Sequence, residues 1–236
     1  MRFALIGHPV AGSLSPVLFG AAYGNKHIYE LYDSASFAEC WQQFLGNYYG
    51  INVTAPYKQD AYARCLELSG NAAATGAVNL VLKDGLRGYN TDVDGVLYAL
   101  RGICGETALV VGTGGAARAA IVAAATMGFR VSVTGRSPEK VAALEERFGL
   151  SPVPSFPDVV IYTLPGSAPV PSGLDMSRSV VLEANYRDPK LSDVPCMLYI
   201  PGVKWLMGQA VAGYRLFTGE EPSVAAMEAA LEQFLQ

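Results

Sequence analysis

The segment Gly112-Thr113-Gly114-Gly115-Ala116-Ala117 joins a short apolar run, Thr107–Gly112, to an alanine-rich stretch that continues to Met127. Its spacing fits G-x-G-x-x-[G/A], with Gly112, Gly114 and Ala117 in the three small positions. The first glycine permits a tight turn out of a strand, and the second lets backbone approach a pyrophosphate. A small third residue lets helix and strand pack closely. A helix starting there points the positive end of its dipole at the phosphates. In this strand–turn–helix context the pattern predicts a parallel, doubly wound sheet that binds a dinucleotide through Gly112, Gly114, Gly115, Ala116 and Ala117. The alternative is a plain strand–helix turn.

The rest of the chain reads as alternating strands and helices. Downstream of the glycine turn we expect strand Arg130–Thr134, helix Pro138–Phe148, and strands Asp158–Leu164 and Ser179–Glu183. Upstream come strand Arg2–Gly7, a helix from about Ser15 to Gly24 with Pro16 at N1 after a serine cap, and strand Tyr29–Tyr32. A helix from about Ser36 to Tyr48 and strand Gly50–Thr54 follow. Asn79–Leu82 and Leu86–Tyr89 form a hairpin around Asp84-Gly85, and a helix runs from about Val93 to Arg101. From about Trp205 the chain is helical to Gln236, broken at Thr218-Gly219 and Pro222. With 236 residues there is material for two α/β domains. We place an N-terminal substrate domain with a mainly parallel sheet at residues 1–97, completed by helices in 206–236. A Rossmann-like nucleotide-binding domain takes 98–205.

Charge narrows the partners. The net charge is −4 and no Lys/Arg-rich block occurs, which argues against nucleic acid and anionic membrane surfaces. The N-terminus enters a strand pattern with no signal-peptide core, and the longest apolar run, Ala119 to Phe129, is too short to span a bilayer. A soluble cytoplasmic protein is the expectation. Cys40, Cys65, Cys104 and Cys196 are scattered without a CxxC pair, and only His8 and His27 offer imidazoles. A metal centre or a His-based triad is therefore not expected.

After the strand Arg130–Thr134 the chain reads Gly135-Arg136-Ser137, with no carboxylate until Glu139. An acid at the strand end would hold a ribose 2′-OH and repel a 2′-phosphate. Arg136 instead offers a planar fork for a phosphate, aided by the Ser137 hydroxyl, so NADP is the expected cofactor. The competing explanation is an exposed surface arginine. Two further ionisable groups end uncharged runs: Lys58 closes Gly50–Lys58, and Asp92 closes Gly88–Asp92. Such placement delivers a charge to the mouth of a cleft and suggests proton handling beside the cofactor.

The ordered motifs, taken together, resemble one family. Gly7-His8-Pro9 with Ser13-Leu14-Ser15-Pro16, Asn52–Lys58, Ala77-Val78-Asn79, Asn90–Gly95, Gly112–Arg118, Gly202 with Gln209-Ala210, and Thr218-Gly219 are similar to the shikimate dehydrogenases across essentially the whole chain. The resemblance implies NADPH-dependent, reversible reduction of 3-dehydroshikimate to shikimate, a small-molecule reaction of aromatic amino-acid biosynthesis. It implies that Ser13 and Ser15 hold the substrate carboxylate, that Lys58 transfers the proton, and that Asp92 pairs with it and binds a substrate hydroxyl. Thr54, Asn79 and Gln209 would bind further hydroxyls, Tyr186 would lie near the carboxylate, and Gly202 would adjoin the cofactor. Catalysis would occupy a cleft that closes against water. Helix capping by Ser15 or Asp92, core hydrogen bonding by Thr54, Asn79 or Gln209, and packing by Tyr186 are the structural alternatives. The expected assembly is a monomer or homodimer.

The chain departs from the family pattern at several points. Gly12 and Phe19-Gly20 replace the usual His and His-Asn, Tyr162-Thr163-Leu164-Pro165 replaces Asn-x-Thr-Pro, and Lys204-Trp205 replaces Gly-Met beside the expected nicotinamide. The nucleotide domain looks trimmed at Ser151–Pro157 and Lys190–Cys196. A quinate/shikimate dehydrogenase, often NAD-dependent, is the near rival. Methylenetetrahydrofolate dehydrogenase is a more distant one, and a non-catalytic nucleotide-binding regulator on the same fold is the alternative of another class.

Overall fold

The structure, a computed structural model, describes residues 1–24 and 26–235, and the expected helical end at Gln236 lies outside the described residues. Two compact units emerge, one of Met1–Thr91 with Met207–Gln236 and one of Asp92–Leu206.

The first unit opens with β1 (Arg2–Gly7), α1 (Ser15–Tyr23), β2 (Ile28–Asp33), α2 (Phe37–Asn47) and β3 (Gly50–Val53). Then follow α3 (Lys58–Arg64), β4 (Glu67–Leu68), α4 (Gly70–Thr75), β5 (Leu80–Leu82), a 3₁₀ turn (Asp84–Leu86) and β6 (Arg87–Tyr89). The strands form one sheet in the order β2-β1-β3-β5-β6-β4. β1 is parallel to both β2 and β3, whereas β5 runs antiparallel to β3 and to β6. The sheet is therefore mixed, with a parallel half that carries the N-terminal motifs. The hairpin forms as expected, but a 3₁₀ turn with Gly85 at φ 68° replaces a two-residue loop.

Period-two alternation divides the β1 side chains between two cores. Ala4 and Ile6 join Trp41 and Phe44 of α2, with Ile51 and Val53 of β3. Phe3 points the other way and stacks on Phe217, 4.5 Å between ring centres, and on Tyr23 at 5.6 Å. Phe19, at a position where the family usually has His, stacks on Tyr29 at 4.3 Å and 4°. That departure is thus absorbed by an aromatic core, in which such pairs contribute beyond their buried area.

The second unit contains α5 (Asp92–Ala99), β7 (Thr107–Val111), α6 (Gly115–Thr126), β8 (Arg130–Thr134), α7 (Pro138–Phe148), β9 (Val159–Tyr162), β10 (Val180–Glu183) and β11 (Leu198–Ile200). All pairings in its sheet are parallel, in the order β11-β10-β9-β7-β8. Ala108 and Val110 of β7 meet α5, α6 and α7 on one face. Leu109 and Val111 meet Tyr162, Met176, Val181 and Leu191 on the other, which the long β9–β10 and β10–β11 segments cover without a helix. That helix-free cover fits the trimmed appearance of the sequence. The expected division after residue 97 falls inside α5, all of which packs in the second unit. α8 (Gly202–Thr218) and α9 (Val224–Leu235) end the chain, broken where Gly219 takes φ 73°.

Four short elements escaped the sequence reading: α3, β4, α4 and β11. Each spans seven residues or fewer, so periodicity has too few repeats to register.

Candidate active site

In an open α/β sheet, loops leaving the carboxyl ends of strands diverge where the strand order reverses, and ligands bind in that crevice. In the first sheet the reversal lies between β1 and β3. Their carboxyl ends are tied together, since the His8 N–H donates to Ala55 O at 3.1 Å and the Thr54 N–H to Ile6 O at 2.9 Å. Gly7 is required there, because a Cβ would run into Thr54 Cγ2. Val53 N–H donates to Asn79 O at 2.8 Å, which brings the start of antiparallel β5 to the same rim.

Ser13 and Ser15 leave β1 at this rim. Their hydroxyls are 3.1 Å apart, with Ser13 Oγ as donor, and the Ser15 N–H donates back to Ser13 Oγ at 3.3 Å. The expected convergence of the two hydroxyls is present, but it comes from a turn closed by Ser13 N–H to Val10 O at 3.2 Å. The expected cap is corrected: Leu14 occupies the cap position in helical geometry, and Ser15 is the first helical residue. Asp33, at the end of β2, braces this loop from below. Its Oδ2 accepts from the Val10 N–H at 2.8 Å and its Oδ1 lies 2.7 Å from His8 Nδ1. The Val10 N–H, then the His8 ring, hold the Asp33 carboxyl below its usual range.

Lys58 is not the end of a strand. β3 stops at Val53, Tyr57 N–H closes a turn on Thr54 O at 3.0 Å, and Lys58 begins α3. Pro56 lacks an N–H and cannot continue strand pairing, in keeping with a strand expected to end at Thr54. Lys58 O accepts from the Val78 N–H at 2.9 Å, anchoring the half-buried lysine beside Asn79.

Asn79 is buried, and both ends of its amide are engaged. Its Oδ1 accepts from the Thr91 N–H at 2.7 Å, its Nδ2 donates to Thr91 Oγ1 at 3.1 Å, and Nδ2 lies 3.5 Å from Gln209 Oε1 on α8. Thr91, whose role the sequence reading missed, links this cluster, and Asp92 follows it as the buried first residue of α5. Asn90 Nδ2 donates to Thr75 Oγ1 at 2.9 Å and Ala77 O at 3.0 Å, so that motif residue holds the loop rather than facing a ligand. Ser13, Ser15, Thr54, Lys58, Asn79 and Gln209 thus gather in one unit. Tyr186 belongs to the other, in the turn after β10, its ring 5.9 Å from the Arg187 guanidinium.

In the second sheet the order reverses between β7 and β9. Gly112 has φ 128°, and a Cβ would strike Thr163 Oγ1, which itself donates to Val111 O at 2.9 Å. Gly114 is the helix cap, without a side-chain capping bond, and a Cβ there would meet nothing within 4 Å. An open glycine at an uncapped helix N-terminus is what a pyrophosphate needs, so the residues fit a dinucleotide. Gly135 lies against the same turn, since its Cβ would be 2.9 Å from Thr113 Cγ2, and Arg136 next to it is exposed. Ser137 caps α7, accepting from the Lys140 N–H at 3.4 Å, and gives its proton to Glu139 Oε2 at 2.8 Å. The expected role of Ser137 as a donor beside Arg136 therefore meets a competitor in Glu139 for that hydroxyl's one proton.

Gly202 starts α8 against backbone, with Ala184 O 2.5 Å and Glu183 O 2.7 Å from where its Cβ would be. Trp205 is buried at 4% exposure and packs on Gly95, whose Cβ would lie 2.9 Å from its Nε1. The tryptophan is thus a core residue of the second unit. Glu183 is fully buried and accepts from the Lys190 N–H, the Leu191 N–H and the Tyr199 hydroxyl at 2.8, 3.1 and 2.9 Å, organising the trimmed β10–β11 segment. Among the described residues no helix is long and apolar enough to cross a membrane.

The geometry agrees with comparisons to known proteins. A family model described as the shikimate dehydrogenase substrate binding domain matches residues 5–81. A shikimate dehydrogenase (NADP(+)) of Thermus thermophilus is 33% identical over 263 residues, covering 100% of this chain and 99% of the relative. One from Archaeoglobus fulgidus is 33% identical over 266 residues, covering 98% of each. The crystal structure of a Thermus thermophilus shikimate 5-dehydrogenase in complex with NADP(H) and shikimate superposes with a TM-score of 0.88 at 32% identity, covering 99% of both chains. The Mycobacterium tuberculosis shikimate dehydrogenase gives 0.84 at 27%, again covering 99% of both. Full-length similarity and the ordered motifs on two glycine-bearing rims lead to one conclusion: this chain belongs to the shikimate dehydrogenase family.

Proposed function

We propose that the protein interconverts 3-dehydroshikimate and shikimate with NADP(H), in aromatic amino-acid biosynthesis. The observation that carries this reading is the rim of the first sheet, where paired serine hydroxyls, a half-buried lysine and a hydrogen-bonded asparagine–glutamine–threonine cluster collect at one strand-order reversal. These groups match a small polyol acid, with hydroxyl donors for a carboxylate, neutral amides for ring hydroxyls and one ammonium for a carbonyl oxygen.

On this reading Ser13 and Ser15 receive the carboxylate, with Tyr186 as a further donor. Thr54, Asn79 and Gln209 bind ring hydroxyls and fix the ring's orientation. Lys58 gives a proton to the carbonyl oxygen during reduction and takes it back from the hydroxyl during oxidation. Asp92 steadies the ammonium and accepts a hydrogen bond from a substrate hydroxyl. NADP(H), when bound, supplies or accepts the hydride. The turn Gly112–Ala117 and Gly202 receive it, and Arg136 takes the 2′-phosphate. We take the first unit, residues 1–91 with 207–236, as the substrate part and the second, 92–206, as the cofactor part. We read the enzyme as cytoplasmic, working as a monomer or homodimer.

Formation of reduced nicotinamide, followed spectrophotometrically with shikimate or quinate and with NADP or NAD, tests the proposal. Shikimate with NADP is expected to give the highest kcat/KM. A higher value for quinate with NAD would make the protein a quinate/shikimate dehydrogenase, and no turnover with any pair would favour a nucleotide-binding regulator.

A further inference from the structure

At the start of α7, Ser137 Oγ donates to Glu139 Oε2 at 2.8 Å while accepting from the Lys140 N–H. A serine hydroxyl has a single proton, so Ser137 has none left for a phosphate while Glu139 holds it. The Ser137 hydroxyl, then its own backbone N–H, keep the Glu139 carboxyl below its usual range, so it is an anion throughout the neutral region. Both residues belong to the turn that carries Arg136, and that turn rests against the glycine loop, where a Gly135 Cβ would be 2.9 Å from Thr113 Cγ2. The turn and the helix start it leads into therefore carry two cations, Arg136 and Lys140, one engaged hydroxyl and one carboxylate, all exposed or half-buried.

We propose that Glu139 is a specificity-determining residue that weakens the grip of this turn on a 2′-phosphate, lowering the preference for NADP over NAD below what the cations Arg136 and Lys140 would set without it. It acts in two ways. Its charge opposes a dianionic phosphate at the same turn, and it occupies the hydroxyl that would otherwise donate to that phosphate. A ligand without the 2′-phosphate meets neither penalty. This inference rests on the reading that Arg136 receives the 2′-phosphate.

Calorimetric titration of the full chain with 2′,5′-ADP and with 5′-AMP compares ligands that differ only in that phosphate. For Glu139→Ala the Kd of 2′,5′-ADP should fall roughly three- to tenfold, the scale of removing one exposed like charge from a dianion, with 5′-AMP changed less than about twofold. The gain should shrink in concentrated salt. Glu139→Gln, which keeps an acceptor for Ser137 but no charge, should show part of it. Arg136→Ala should abolish the preference for 2′,5′-ADP. If Arg136→Ala does so but neither Glu139 variant alters the ratio of the two Kd values, the inference about Glu139 is overturned and the phosphate site stands. If Arg136→Ala leaves the ratio unchanged, the phosphate is held elsewhere and both fall.

Discussion

Replacing Asn79 by alanine tests how the substrate rim is held together. The variant removes the acceptor of the buried Thr91 N–H, both partners of the Thr91 hydroxyl, and the contact to Gln209. Leaving a buried N–H unsatisfied costs about 1–3 kcal/mol, and the lost hydroxyl and amide bonds add about 1 kcal/mol. With a total of about 3 kcal/mol, and about 2–4 °C per kcal/mol for chains of this size, the Tm should drop by roughly 6–12 °C. Thr91→Val deletes part of the same set, so a double-mutant cycle with Asn79→Ala should show coupling on the order of 1 kcal/mol. Calorimetry of the four proteins supplies the numbers. A Tm within about 2 °C of wild type for Asn79→Ala, or strict additivity in the cycle, would show that the cluster is not what joins β5 to the Thr91 turn.

Lys58→Ala should lower kcat by roughly 10²–10⁴-fold while the Kd for shikimate stays within about threefold, since a proton donor acts chiefly in the transition state. Stopped-flow turnover and equilibrium titration separate the two effects, and a loss confined to binding would make Lys58 a substrate anchor. Gly112→Ala forces a Cβ into φ 128° and against Thr163 Oγ1, so NADP binding by calorimetry should weaken more than about tenfold, and unchanged affinity would remove the turn from the cofactor site. Asp158 accepts from the Glu106 N–H first, then from the Thr107 hydroxyl and N–H, which lowers its carboxyl, as Val10 and His8 lower that of Asp33. A depressed folded pKa adds stability above the unfolded carboxylate value of about 3.9 and loses it as the pH falls through the folded value. Thermal stability should therefore decline below about pH 4, and Asp158→Asn should flatten that decline. A slope unchanged by the variant would show that Asp158 contributes none of it.

Long periodic segments were legible in the sequence because many residues repeat one message. Pro138–Phe148 was read to the residue, and the glycine turn sits between β7 and α6 as its spacing required. The candidate site was legible chiefly as a set of motifs, and what each motif does locally was not. Asn90 and Thr91 stand next to each other, yet one braces Thr75 and Ala77 while the other closes on Asn79, twelve residues away. Such pairings depend on strand register, to which a linear pattern is blind.

Local hydrogen bonds set a second limit. Ser15 with Pro16 has the composition of a helix cap, but the turn that pairs Ser13 with Ser15 moves the helix start one residue earlier and leaves the cap to Leu14. Ser137 reads as a phosphate donor, and Glu139, two residues on, competes for its proton. In both cases a serine hydroxyl had two suitors, and the sequence names the suitors without ranking them. The ranking follows from proton counting: a hydroxyl donates once, so every donor assigned to a ligand must first be shown not to be spent within its own turn. Applied to the substrate rim, that rule leaves one proton between Ser13 and Ser15 for a carboxylate as long as their hydroxyls stay hydrogen-bonded to each other, and frees the second only when the ligand replaces that bond.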